Sequence, residues 1–165
     1  MIIFTSLFIY IIYWGLKFSK LQFSRKNLIN NKAFIQKILL VSFLLLLVLV
    51  LNDKCTDFYN YVEIYENASF EMLRTTDQEL GYIILNTILQ NIISNGVIGV
   101  NIIRGITFLI FLKGIYEIRN YVDVGWAFIA FGLMSYSPIF SMPAYMLASA
   151  CIFLALVYFT KEKYV

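Results

Sequence analysis

The sequence predicts an all-α protein that crosses a membrane repeatedly, with about five transmembrane helices and one further helix on the outer side. Hydrophobic residues make up 61% of its 165 residues, whereas charged residues make up only 14%. Soluble domains average roughly 45–50% apolar and about 25% charged residues. The apolar residues also fall in long runs that polar segments separate. This composition excludes a cytosolic enzyme, a disordered chain and a disulfide scaffold.

Two spans are predicted in the N-terminal third. The first, residues 2–16, is short but ends in Tyr13 and Trp14, which are typical anchors at a membrane interface. No basic residue precedes it and no small-residue cleavage site follows it, so we expect a retained span rather than a signal peptide. The second, residues 34–52, is dominated by leucine and valine. It supplies the roughly 20 apolar residues that a spanning helix needs.

Three more spans are predicted towards the C-terminus, at residues 97–116, 124–140 and 144–160. A polar link at 117–123 separates the first two of them. The sequence Ser-Met-Pro at 141–143 separates the last two, because proline interrupts a helix. Each run falls within the range of about 17–25 residues that spanning helices use.

The segment 80–94 is apolar but interrupted by Asn86, Gln90 and Asn91, and it ends at an Asn-Gly turn signal. Two placements remain open for it. It either crosses the membrane, or it dips in and returns or lies on the outer surface as a re-entrant or interfacial helix.

Charge favours one of these placements, because cytoplasmic loops collect lysine and arginine. The loop 17–37 carries six basic residues and no acid, whereas the loop 53–79 carries seven acids and two basic residues. The first is therefore predicted inside and the second outside. If 80–94 does not cross, ten of the 13 basic residues lie in the cytoplasm. We therefore expect one membrane domain, 1–165, with its N-terminus outside and its C-terminus inside.

Several classes of site are excluded by what the sequence lacks. It has no histidine, which is the commonest acid–base catalyst and metal ligand. It also has no Walker loop, no GxGxxG, no HExxH and no zinc-type cysteine spacing. Cys55 falls in the polar loop and Cys151 in a predicted span, so we expect no disulfide between them. We expect no metal site, no cofactor and no nucleic-acid partner.

The outer loop offers the first candidate site. Thr56 or Asp57 could cap a short helix. On such a helix Phe58, Tyr61 and Tyr65 are spaced i, i+3 and i+7, which gives one aromatic face. Carboxylates beside aromatic rings suit a sugar, whose hydroxyl groups need acceptors and whose C–H faces pack on rings. The alternative, which the residues alone favour, is an interfacial helix whose rings lie at the level of the lipid headgroups.

A polar stripe is the second candidate. Glu79, Asn86 and Gln90 are spaced by seven and then four residues, which places them on one face of the 80–94 helix. A polar face at membrane depth is expected to meet protein or a water-filled cleft rather than lipid. An ordinary helix lying on the membrane surface would explain the stripe equally well.

Arg104 is the third candidate, because it lies about two turns into a predicted span. A charge at a helix centre costs about 2.5–3.5 kcal/mol on insertion scales, and such residues usually face a partner or an aqueous path. Arginine also binds phosphate oxygens bidentately, so a lipid-linked diphosphate at the outer leaflet would satisfy it. The alternatives are a structural pair with Asp57, Glu79 or another acid, or a side chain that extends to the interface.

Two short motifs carry a resemblance to a known family. Residues 56–61 read TDFYNY and residues 79–86 read ELGYIILN. They match the patterns Thr-Asp-x-x-x-Tyr and Glu-x-Gly-Tyr/Phe-x-x-Leu-Asn, in the same order and followed by a pair of spans. In these features the chain resembles the EpsG family of bacterial exopolysaccharide and capsule membrane proteins, which belong with the Wzy-type polysaccharide polymerases.

The resemblance implies a multi-pass protein of the bacterial plasma (inner) membrane that polymerises oligosaccharide repeat units carried on undecaprenyl diphosphate at the outer face. Lipid-linked oligosaccharide, membrane lipid and other polysaccharide-assembly membrane proteins are the partners it implies. In the expected glycosyl transfer, Asp57 or Glu79 of the two motifs positions or deprotonates the acceptor hydroxyl. Arg104, a candidate only through its position within a span, holds the diphosphate leaving group. The expected substrate-binding residues are Thr56, Phe58, Tyr61, Tyr65, Asn86 and Gln90.

The chain departs from the family pattern in two respects. Members are longer, so the resemblance covers their N-terminal half. They also usually carry an Arg-Gln pair just before the span that begins here near residue 144, where this chain reads FSMPAY at 140–145. The alternative function is therefore a non-catalytic or truncated membrane subunit that serves assembly or lipid binding. A small transporter is disfavoured, because one basic residue and no acid lies within a span.

Overall fold

The computed structural model describes residues 2–24, 32–52, 57–71 and 80–164, and these residues form helices joined by short turns, with no strand among them. The all-α prediction is confirmed. The helices are α1 (Ile2–Ser24), α2 (Lys32–Leu51), α3 (Phe58–Glu66), α4 (Leu80–Gln90), α5 (Gly96–Glu117), α6 (Val124–Phe131), a π-helical turn (Gly132–Tyr136), α7 (Ser137–Ser141) and α8 (Pro143–Tyr164).

Four helical stretches of the described chain are long and apolar enough to cross a membrane. They match four of the predicted spans, so the prediction of a polytopic membrane protein is confirmed. The four stretches are Phe34–Leu51, Gly96–Glu117, Val124–Ser141 and Pro143–Thr160. The segment 2–16 is helical within α1, and its crossing stays a prediction.

The length of α4 bears on the placement that the sequence left open. Its 11 residues rise about 1.5 Å each, which gives roughly 16 Å against a hydrocarbon core of about 30 Å. The described part of this helix is therefore shorter than a span needs. Its placement as a re-entrant or interfacial helix stays a prediction.

Helix α5 is the centre of the bundle, since it contacts α2, α3, α4, α6, α7 and α8. The other close pair is α1 with α6, which run antiparallel because Ile11 meets Gly132 and Gly15 meets Gly125. Gly15 and Gly125 bring the two backbones into direct contact. Small residues of this kind allow membrane helices to pack closely.

Polar contacts close one end of the bundle, which we name the Asp123 end after the residue that caps α6. Asp123 accepts a hydrogen bond from the Trp126 backbone N–H at 3.1 Å and another from the Ser19 hydroxyl at 2.7 Å. The Gln22 amide donates to the Val122 carbonyl at 3.2 Å and accepts from the Val124 N–H at 2.8 Å. These bonds fix the end of α1 against the start of α6. The basic residues of 17–37 lie on this side in sequence, so the charge rule predicts that it faces the cytoplasm.

The predicted span at 124–140 is built from three helical pieces rather than one. Pro138 has no N–H to donate, and its ring crowds the preceding turn of the helix. The π-helical turn lies directly before it, and its wider turn accommodates the missing hydrogen bond and the ring. Within the turn the Tyr136 hydroxyl donates to the Leu45 carbonyl of α2 at 2.8 Å. The helix then ends at Ser141, because Met142 leaves the helical region (φ −131°, ψ 60°). Carbonyl groups near this end are therefore open to donors from elsewhere.

Candidate functional site

The end of the bundle opposite Asp123 is organised by Arg104, so we name it the Arg104 end. The side chain is 0% exposed. Its Nη1 donates to the Asn52 carbonyl at 3.2 Å and to Asn101 Oδ1 at 3.3 Å, and its Nη2 donates to the Phe140 carbonyl. The Phe58 ring covers the guanidinium, with 4.3 Å between Cζ and the ring centroid.

The two carbonyl groups explain how a buried cation is tolerated here. Asn52 follows the last residue of α2 and Phe140 lies in the last turn of α7, so both carbonyls lie at helix C-termini. A helix C-terminus carries the equivalent of about half a negative charge. Two such ends together oppose about one positive charge. The aromatic face of Phe58 adds a cation–π contribution.

This burial bears on the expected contact with a diphosphate. The guanidinium is enclosed by the ends of α2 and α7 and by Phe58, and none of it reaches the surface. Phe58 would have to move before a phosphate could touch Arg104. The arrangement instead shows Arg104 holding three chain segments in place.

Helix α3 lies against α5 through its aromatic residues. Phe58 and Tyr65 are 0% exposed and Val62 is 8% exposed, so the predicted aromatic face is packed inside the protein. The Tyr65 ring lies on Gly99, where any larger residue would overlap it, and the Tyr65 hydroxyl donates to the Ile93 carbonyl at 2.7 Å. Burial raises the pKa of the Tyr65 phenol above its ordinary value. Neither ring is open to a sugar in this arrangement.

The two sequence motifs meet in space. Tyr61, the third member of the aromatic face, is half-buried, and its ring packs edge-on against Tyr82 at 5.8 Å between centroids. Tyr61 closes the motif of residues 56–61, and Tyr82 lies within the motif of residues 79–86. The contact therefore joins the two motifs in one structure at the Arg104 end.

Asp57 lies directly before α3, at the N-cap position. It is partly exposed, and its carboxylate makes no capping hydrogen bond, although an aspartate at this position commonly makes one. Its neighbour Phe58 is fixed on Arg104. Asp57 thus places a partly exposed carboxylate directly beside the residue that packs on Arg104. Two other predicted site residues, Thr56 and Glu79, lie outside the described residues.

The two predicted site residues of α4, Gln90 and Asn86, differ in their surroundings: Gln90 is hydrogen-bonded and Asn86 is buried. The Gln90 amide donates to the Glu66 carbonyl at 2.6 Å, and Glu66 Oε1 accepts from the Gly96 N–H at 3.3 Å. These bonds connect the ends of α4 and α3 to the start of α5. Gln90 therefore makes a structural contact, and Glu66 is a member of this junction that the sequence reasoning missed. Asn101, which contacts Arg104, was also missed, although its i, i+3 spacing to Arg104 is visible in the sequence.

Asn86 is the other predicted residue of α4, and it is 0% exposed. Among the described residues neither its amide nitrogen nor its amide oxygen has a hydrogen-bond partner. Leaving a buried polar group unsatisfied costs roughly 1–3 kcal/mol in proteins. The buried amide of Asn86 therefore lowers the stability of the region in which α3, α4 and α5 pack through an apolar cluster.

We expect Asn86→Leu to stabilise the protein, because it replaces this amide with an apolar side chain of the same branching and number of heavy atoms. The free energy of unfolding should rise by about 1–3 kcal/mol, read from thermal unfolding of the purified protein in detergent. Thr87→Val is the matched control, since the Thr87 hydroxyl is satisfied by the Ile83 carbonyl at 2.9 Å. A fall in stability of the Asn86 variant beyond that of the control would contradict the prediction.

No group of three or more histidine, cysteine, aspartate or glutamate residues within the described part of the chain is placed to hold a metal ion. Cys151 is a free thiol on the surface of α8.

Comparison with known proteins gives one match. The model of the EpsG family matches residues 36–165, which run from within α2 to the end of the chain and include Arg104 and the residues that contact it. No curated protein and no solved structure matches the chain.

Proposed function

The chain belongs to the EpsG family of exopolysaccharide-related membrane proteins, and from this premise we propose that it polymerises or handles oligosaccharide repeat units. These units are carried on undecaprenyl diphosphate, and the reaction takes place at the outer face of the bacterial plasma membrane. The proposal includes capsule or exopolysaccharide synthesis by a glycosyltransferase-type reaction. The observation that carries it is the partly exposed carboxylate of Asp57 at the Arg104 end, next to the junction of the two family motifs.

In the proposed reaction a hydroxyl of the acceptor sugar attacks the anomeric carbon of the donor. The new glycosidic C–O bond forms as the bond to the diphosphate oxygen breaks, and the lipid diphosphate leaves with the electron pair. The Asp57 carboxylate positions the acceptor hydroxyl and takes its proton. Glu79 is the second candidate for this role. The outer-surface location rests on the charge asymmetry between the loops at 17–37 and 53–79.

Arg104 is assigned a positioning role in this proposal. Its burial, together with the ring of Phe58 over it, supports an action through α3 rather than through direct contact with the diphosphate. Arg104 holds Phe58, and Phe58 is the residue that follows Asp57. Tyr61 lies one turn after Asp57 on α3, and its ring packs against Tyr82.

We expect Asp57→Asn to reduce polymer formation by at least about 100-fold, because the amide cannot accept the proton of the acceptor hydroxyl. The measurement is the amount and the length of polymer made in a bacterial host that lacks its own polymerase and supplies the lipid-linked repeat units. Glu63→Gln is the matched control, since Glu63 is an exposed acid on the same helix. Long polymer from the Asp57 variant, at equal protein level, would contradict the proposed role.

The alternative is a non-catalytic subunit that serves assembly or lipid binding. Burial of Phe58, Tyr65 and Arg104 favours it, because these residues act here as packing elements. The same host distinguishes the two functions. If the unaltered chain makes no polymer alone but restores it beside a second membrane protein, the subunit function is supported.

A further inference from the structure

A cavity of about 380 Å³ lies between α2, α5 and α6, on the half of the bundle towards the Asp123 end. It is separate from the Arg104 end and plays no part in the proposed reaction. Its walls are mainly aliphatic and aromatic side chains. They include Ile38, Leu39, Leu109, Leu112, Ile115 and Phe128. An apolar cavity between spanning helices suits a hydrocarbon chain.

Positive charge lies at one side of this cavity. Lys113 and Arg119 belong to its lining, and Lys113 is 51% exposed at its side chain. Lys113 Nζ lies 2.6 Å from Glu117 Oε1, which leaves further donors of the ammonium group for another acceptor. Arg119 lies over the Tyr116 ring, with 3.9 Å between Cζ and the centroid. Lys113, Arg119 and Glu117 together carry a net charge of +1.

Ser42 provides a third, independent feature. It lies in the lining, is 2% exposed, and its hydroxyl has no hydrogen-bond partner among the described residues. A buried hydroxyl surrounded by apolar groups is costly unless an acceptor reaches it. The cavity therefore offers one hydrogen-bond donor deeper than its charged side.

We propose that this cavity binds one phospholipid with an anionic headgroup. The phosphate lies at Lys113 and Arg119, an ester carbonyl just below it accepts a hydrogen bond from Ser42, and the acyl chain fills the apolar part. The occupant is a lipid rather than a protein helix. The cavity offers first positive charge, then the Ser42 hydroxyl and then apolar walls, which is the order of phosphate, ester and acyl chain along a phospholipid. Basic residues on the predicted cytoplasmic side match the anionic lipids of that leaflet.

The charge component is tested with the full chain in detergent, by native mass spectrometry with phosphatidylglycerol or phosphatidylcholine of identical acyl chains. We expect the double variant Lys113→Gln/Arg119→Gln to retain about tenfold less phosphatidylglycerol. The control is Lys17→Gln/Lys20→Gln, which removes the same charge from exposed positions of α1 outside the cavity lining. An equal loss in the control, or equal retention of the two lipids by the unaltered chain, would overturn the proposal.

The Ser42 component is tested by comparing ester-linked with ether-linked phosphatidylglycerol, since the ether lipid lacks the carbonyl acceptor. Ser42→Ala should lower retention of the ester lipid about threefold and leave retention of the ether lipid unchanged. An identical effect on both lipids, or none on either, would refute the assigned hydrogen bond. Circular dichroism of each variant confirms that the helices are intact.

Discussion

Replacing Arg104 with alanine is expected to release α3 from the bundle and to abolish polymer formation. The variant removes the hydrogen bonds from Arg104 to the Asn52 and Phe140 carbonyls and the cation beneath Phe58. A hydrogen bond to a charged group contributes about 1.5–3 kcal/mol, so we expect a loss of about 3–5 kcal/mol in the free energy of unfolding. Hydrogen exchange of the α3 amides measures the release directly.

Hydrogen exchange also separates the positioning role of Arg104 from direct contact with a diphosphate. If Arg104 served only to bind phosphate, its alanine variant would lose polymer while α3 kept its protection. Arg104→Lys should restore little, because an ammonium group lacks the planar fork that reaches both carbonyls. Thr107→Val is the control one turn away, since the Thr107 hydroxyl donates to the Ile103 carbonyl of its own helix at 2.9 Å.

Gly125→Ala should separate α1 from α6. A Cβ at Gly125 would overlap the Gly15 carbonyl oxygen and would crowd the Ser19 backbone, and backbone atoms cannot rotate away as a side chain can. Overpacking of this kind costs about 1–3 kcal/mol, and we expect a value near 3 kcal/mol here. The unfolding midpoint in detergent measures the effect.

The matched control for this change is Gly81→Ala. No described residue lies within 4 Å of a Cβ at Gly81, which is exposed in the first turns of α4. Because alanine is the better helix former, this variant should be neutral or more stable by up to about 1 kcal/mol. A Gly125 variant as stable as the Gly81 variant would show that α1 and α6 do not need direct backbone contact.

The spans and the all-α class were predictable because each depends on local hydropathy. The residues of 34–52 are apolar enough to define a span without knowledge of their neighbours. The short α3 was also predictable from the spacing of Phe58, Tyr61 and Tyr65. The interruption near Ser141 followed from Pro143.

The contacts of Arg104 were not predictable, because they depend on residues distant in sequence. No feature of the neighbouring sequence indicates that the Asn52 and Phe140 carbonyls accept hydrogen bonds from the same guanidinium. The surroundings of the aromatic face were not predictable either, because helical spacing alone does not distinguish a face that meets sugar, lipid headgroups or protein. Val62 was the available signal, because Phe58, Val62 and Tyr65 follow the i, i+4, i+7 spacing of a helix face that packs against protein.

The contacts of Arg104 have a consequence for biosynthesis. One of its carbonyl partners is 52 residues earlier in the chain and the other is 36 residues later. When α5 leaves the ribosome, α2 is already made, but α7 is not. Until α7 is synthesised, Arg104 enters the membrane without the Phe140 carbonyl as a hydrogen-bond partner. The free energy of inserting its charge is then unfavourable by up to about 2.5–3.5 kcal/mol. We therefore expect stable insertion of α5 to be coupled to synthesis of α7, so that a nascent chain truncated before Phe140 integrates α5 less completely than one that includes it.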